Sequence, residues 1–118
     1  MALQEIARAL HAGKLTEGRT KGDVKELIAK YPNGVQITGA DILHDQKRGT
    51  DYVCFTIAEE PEKFYFGGSV VTKYFSELIA ACGGKASFDE ALNMETLNVS
   101  FAEQRSKNGN VYVSVVTL

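Results

Sequence analysis

At 118 residues the chain suits one domain with one core. Apolar residues make up 44% and charged residues 24%, both ordinary for a globular protein, and no run approaches the ~18 apolar residues of a membrane span. A net charge of −2 and a pI of about 5.7 count against a protein that coats duplex DNA by bulk charge, so what matters is where the 13 Lys and Arg residues lie.

The opening residues, Met-Ala-Leu-Gln-Glu-Ile-Ala-Arg, include an acid and no long apolar run. They do not read as a signal peptide, and the expected location is cytoplasmic. Leu3, Ile6, Ala7 and Leu10 recur at helical spacing and predict a helix over 3–12. Lys14 to Gly22 is polar and glycine-containing, a loop. A second helix is expected over roughly 21–31, with Thr20 as N-cap and Val24, Leu27, Ile28 and Tyr31 on one face. Pro32 and Asn33-Gly34 end it.

The period then changes to alternation. Strand one is expected over 34–43, with a bulge or bend near Gly39. A charged loop follows with Lys47, Arg48 and Gly49. Strand two covers 52–58, with Val53, Phe55 and Ile57 inward. Glu59-Glu60-Pro61-Glu62 is an acidic connection. Strand three covers 63–67, with Phe64 and Phe66 inward and Tyr65 outward. The helical period returns over 69–82, where Val71, Phe75, Leu78, Ile79 and Cys82 form a stripe. Gly83-Gly84 stops it, and Ser87-x-x-Glu90 suggests a capped short helix over 88–94. Strand four covers 97–102. Asn108-Gly109 is a hairpin signal, and strand five covers 111–116.

From Gly34 the order is β-β-β-α-β-β. That is the order of an OB-fold, a partly open five-stranded Greek-key barrel. The expected fold is therefore mainly β with helices (α+β): a five-stranded OB-fold-like barrel over 34–118, preceded by two N-terminal helices in an extension over 1–33, all in one structural unit. The same pattern permits helices packed on one face of an open antiparallel sheet. Periodicity does not decide whether the sheet closes.

Such a barrel binds oligonucleotides on its strand two and three face, between the loops after strands one and four. The outward residues there are Tyr52, Lys63 and Tyr65, joined by Tyr112 on strand five, and the loops carry Lys47, Arg48, Arg105 and Lys107. Tyrosines can stack bases and the cations can track phosphates. Tyrosine is also a favoured strand residue anywhere, and charged loops are usually only solvated. The expected partner is single-stranded DNA. The alternative is a protein-interaction or self-associating module, using Leu3, Ile6 and Leu10 or an open sheet edge.

Signals for catalysis are weak. His44-Asp45 lacks further ligands for a metal. Cys54 and Cys82 have no evident histidine partner and suit a reducing compartment as buried thiols. Gly67-Gly68-Ser69 lacks the phosphate-loop spacing and reads as a turn. Glu59, Glu60 and Glu62 read as a solvated turn. The chain is read as non-enzymatic, without cofactor or metal.

Gly34-Val-Gln-Ile-Thr-Gly-Ala-Asp-Ile-Leu, Asp51-Tyr-Val-Cys-Phe, Lys63-Phe-Tyr-Phe-Gly-Gly-Ser and Asn108-Gly-Asn-Val-Tyr together resemble small proteins of phages and mobile elements in Gram-positive bacteria. Some of these look like OB-fold single-stranded DNA-binding proteins. The resemblance covers about residues 34–118 and implies a role in phage or mobile-element DNA metabolism. The acidic glycine-rich tail of bacterial single-stranded DNA-binding proteins has no counterpart here, so recruitment of partners through such a tail is not implied.

Overall fold

The structure is a computed structural model that describes residues 15, 16 and 18–118. The helix expected over 3–12 lies outside the described residues. The elements follow in the order β1 (Thr20–Lys21), α1 (Val24–Lys30), β2 (Val35–Asp45), β3 (Thr50–Ile57), β4 (Lys63–Gly67), α2 (Ser69–Ala81), α3 (Lys85–Met94), β5 (Leu97–Arg105) and β6 (Val111–Thr117).

Local chemistry sets most of these bounds. The N-cap of α1 is Asp23, whose carboxylate accepts the Lys25 N–H at 2.9 Å. Thr20, the expected cap, instead belongs to β1, where its N–H donates to the Glu62 carbonyl at 2.9 Å. β2 carries a bulge between Ile37 and Gly39, and Thr38 Oγ1 lies 2.8 Å from Thr56 Oγ1 across it. The helix α3 begins at Lys85, directly after Gly84 at φ +122°. Gly84 is its N-cap, so Ser87 sits inside the helix and caps nothing.

The sheet order is β1-β4-β3-β2-β5-β6. β1 runs parallel to β4, and every other pair is antiparallel. β2 serves two partners. Val35–Ile37 pair with β5, and Ile37 to Asp45 pair with β3.

The expected five-stranded barrel over 34–118 is not what forms. The structure is an α+β fold with an open six-stranded mixed sheet and helices interspersed along the chain. Two features oppose closure. The outer edge of β4, which a closing strand would need, is taken by β1: the Thr20 and Gly22 N–H groups donate to the Glu62 and Phe64 carbonyls. Helices fill the remaining gaps, α1 against β4 and β5, and α2 against β3 and β6. Tyr74 of α2 reaches Thr117 of β6, hydroxyl to hydroxyl, at 2.5 Å.

The core centres on Phe55, which is fully buried. Its ring stacks on Tyr65 at 5.5 Å, Phe75 at 5.7 Å and Phe101 at 5.2 Å. Leu27, Val35, Ile37, Val53, Ile57, Val71, Phe88 and Val99 surround it. Leu27 comes from α1, so the segment before Gly34 contributes to the same core. Both faces of β3 are covered: Cys54 and Thr56 are as buried as their neighbours Val53 and Phe55. No helix among the described residues is long and apolar enough to cross a membrane.

Candidate nucleic-acid interface

The β3–β4 register decides which rings face outward. Phe55 lies opposite Tyr65, and Cys54 opposite Phe66. Residues directly opposite share a face, so Tyr65 joins Phe55 in the core and is 2% exposed. Phe64 and Phe66 take the outer face, the reverse of the expected orientation of this strand. The buried phenol of Tyr65 is pushed above its ordinary pKa by desolvation, with Glu60 adding to the effect. No base can stack on it there.

The expected cations do not converge. Lys47 and Arg48 occupy the turn between β2 and β3, where their N–H groups donate to the Asp45 carboxylate at 3.0 and 3.3 Å. Arg105 and Lys107 sit at the tip of the β5–β6 hairpin. β2 and β5 meet only at Val35–Ile37 and Leu97–Val99, and they run antiparallel. From that contact one hairpin extends along β2 toward Asp45, and the other in the opposite direction along β5 toward Arg105. A strand rises about 3.3 Å per residue, so each tip lies about 20 Å or more along its strand from the contact. Tyr112 lies with the second tip, opposite Gln104. Lys63 turns to a different place, a cavity of about 120 Å³ beside α1 that includes Asp23, Glu26, Lys30 and Glu60.

What the outer face does assemble is an aromatic row. Tyr52 of β3 packs edge-to-face on Phe66 at 5.3 Å, and Phe66 on Phe64 at 5.4 Å. All three are half-buried. Lys21 Nζ stands 5.4 Å from the centre of the Phe66 ring. Lys21, Gly22, Asp23, Val24 and Phe66 line an open depression of about 460 Å³ at that end. At the other end Tyr52 is the third residue of β3, the strand that leaves the Lys47–Arg48 turn. The row thus runs from one basic turn, across β3 and β4, to the lysine of β1.

Phe64 and Phe66 are absent from the expected set. Their signal was the Phe-Tyr-Phe alternation itself, which fixes two faces but not which one is inward. Cys54 lies on the same face between Thr56 and Tyr52, 1% exposed. Burial, reinforced by Asp41, pushes its thiol up to about 11. At neutral pH that keeps the thiol protonated, packed between Thr56 and Tyr52.

The acidic connection is structural. Glu59 accepts the Gln36 N–H at 3.0 Å. Glu60, only 9% exposed, takes Lys30 Nζ at 2.6 Å and the Tyr31 hydroxyl at 3.3 Å, so it is not the solvated acid the turn composition suggests. The Lys30 hydrogen bond holds the Glu60 carboxyl below its ordinary pKa, and Glu60 raises that of Lys30. His44 Nδ1 pairs with Asp51 at 2.8 Å rather than with Asp45. Among the described residues, no three His, Cys, Asp or Glu side chains group as a metal site.

Comparison with known protein families, with curated sequences and with solved structures gives no match to this chain.

Proposed function

We propose that this chain is a non-enzymatic binder of single-stranded nucleic acid, DNA first, and that the Tyr52–Phe66–Phe64 row is its platform. One observation carries the reading: three half-buried rings in a row on one sheet face, with Lys21 over the central ring, Phe66. Unpaired bases expose π-faces that such rings can accept without regard to sequence. Lys21 over Phe66, with Lys47 and Arg48 in the turn that leads into β3, supplies charge for the phosphates. The chain's net charge of −2 makes that attraction local to these three cations, and binding weakens as salt rises. The resemblance to phage and mobile-element proteins fits DNA metabolism in a bacterial cytoplasm, where Cys54 and Cys82 remain free thiols.

Fluorescence anisotropy with a labelled oligonucleotide tests this. The single strand should bind better than its duplex at low salt. Phe66→Ala and Tyr52→Ala should each cost about 1–3 kcal/mol of affinity, while Tyr112→Ala on the distant hairpin leaves it unchanged. Equal or absent binding of single strand and duplex at low salt would remove the reading. So would a Phe66→Ala protein that binds as tightly as the parent.

A further inference from the structure

β6 is a seven-residue strand, VYVSVVT, without a charged side chain. Among the described residues it pairs with β5 alone and forms one edge of the sheet. Its hydrogen-bonding pattern follows from two bonds. Leu118 N–H donates to the Asn98 carbonyl at 3.0 Å, and Ser106 N–H to the Asn110 carbonyl at 2.8 Å. In an antiparallel ladder every second residue bonds to a given neighbour. Tyr112, Ser114 and Val116 therefore bond inward to β5. Val111, Val113, Val115 and Thr117 direct their N–H and C=O groups out from the free edge. Around them Val111, Tyr112 and Val116 are 53%, 40% and 59% exposed. Edges of this length normally carry lysines, prolines or bulges, or lie under a helix; β6 has none of the first three, and α2 meets it at its C-terminal end, where Tyr74 bonds Thr117.

We propose that β6 joins a second copy of this chain, antiparallel, about a two-fold axis at Ser114. In that register Val111 faces Thr117 of the second copy and Val113 faces Val115 of the second copy, so the outward groups of all four meet as reciprocal hydrogen-bonded pairs. On the outer face Tyr112 lies opposite Val116 of the second copy, an aromatic–β-branched pair of the kind sheets favour. Ser114 lies opposite itself. A shift of one residue sets outward groups against inward ones. A shift of two shortens the ladder. The strand is thus complementary to itself over its full length, and no like charges oppose across it. This fits a second copy better than a charged foreign peptide. The proposal is independent of nucleic-acid binding.

The test is sedimentation equilibrium of the full chain without oligonucleotide, over a range of concentrations. The parent should be a dimer. Ser114→Lys and Ser114→Glu each place like charges on the axis and should raise the dimer dissociation constant about tenfold or more. Mixed in equal amounts they should form a heterodimer. Amide exchange at Val111, Val113, Val115 and Thr117 should slow as concentration rises, while exchange at Tyr112, Ser114 and Val116 is slow throughout. Val111→Pro removes an outward N–H without touching the β5 ladder, and it serves if the charged variants fold poorly. A parent that is monomeric at every concentration overturns the proposal. So does a dimer that survives Ser114→Lys or Val111→Pro unchanged, or folded Lys and Glu variants whose mixture stays monomeric.

Discussion

The two edges of the sheet are built on opposite plans. β1 is two residues long, Thr20 and Lys21, both exposed and neither apolar. Backbone bonds hold it, from Thr20 to Glu62 and from Gly22 to Phe64, and Arg19 Nε adds one to the Pro61 carbonyl at 2.9 Å. β6 is seven residues long, β-branched and uncharged. The first edge is short and ends in a lysine, the ordinary protection against pairing with other chains. The second lacks that protection. One side of the sheet is therefore finished by the chain itself and lends its cation to the aromatic row. The other side, among the described residues, ends in a strand paired with β5 alone.

The largest expected effect falls on what the two sides share. Phe55 stacks on Tyr65, beside β1, and on Phe101, beside β6. Phe55→Ala should cost about 3–5 kcal/mol in urea denaturation; a loss under about 1 kcal/mol would mean the sides do not rest on one core. Gly22→Ala strikes the β1 side alone. An added Cβ would run into the Tyr65 ring, an overpacking expected to cost about 1–3 kcal/mol while leaving the oligomeric state unchanged.

Acid should act on the same side. The Lys30 hydrogen bond depresses the Glu60 pKa below its ordinary value of 4.5. The pair's contribution is then fully present above pH 4.5 and is lost as pH falls through the lower folded value. Thermal melts between pH 3 and 7 should decline less steeply for Glu60→Gln than for the parent. The smallest effect belongs to the open edge. Val116→Lys, on a side chain 59% exposed, should change monomer stability by no more than about 0.5 kcal/mol. A larger loss would show that this edge is part of the packed structure after all.

The strand and helix spans from β2 onward were legible because alternation and helical stripes report burial directly. The span of β4 over 63–67 is as expected. Its orientation was not legible, because Phe64, Tyr65 and Phe66 put a ring on both faces, and only the pairing of Phe55 with Tyr65 selects one. β1 left no pattern, since two polar residues held by main-chain bonds have no side-chain period. Closure depends on registers between strands distant in sequence, which no local pattern encodes. The candidate site inherited these gaps. Tyr52, Lys47 and Arg48 lie along or beside the row. Tyr65 went to the core, Lys63 to Glu60, and Arg105, Lys107 and Tyr112 to the opposite hairpin.

The double service of β2 also bears on how the chain folds. The β2–β3 and β5–β6 hairpins each close through a short turn and can form within microseconds. Their union is different. Ile37 must find Leu97, sixty residues along the chain (97 − 37), and only Val35, Gln36 and Ile37 make that ladder. Loop-closure entropy is spent before the Phe55–Phe101 stack can repay it. Docking of two preformed hairpins is then the expected rate-limiting event, and Ile37→Val should slow refolding more than it speeds unfolding.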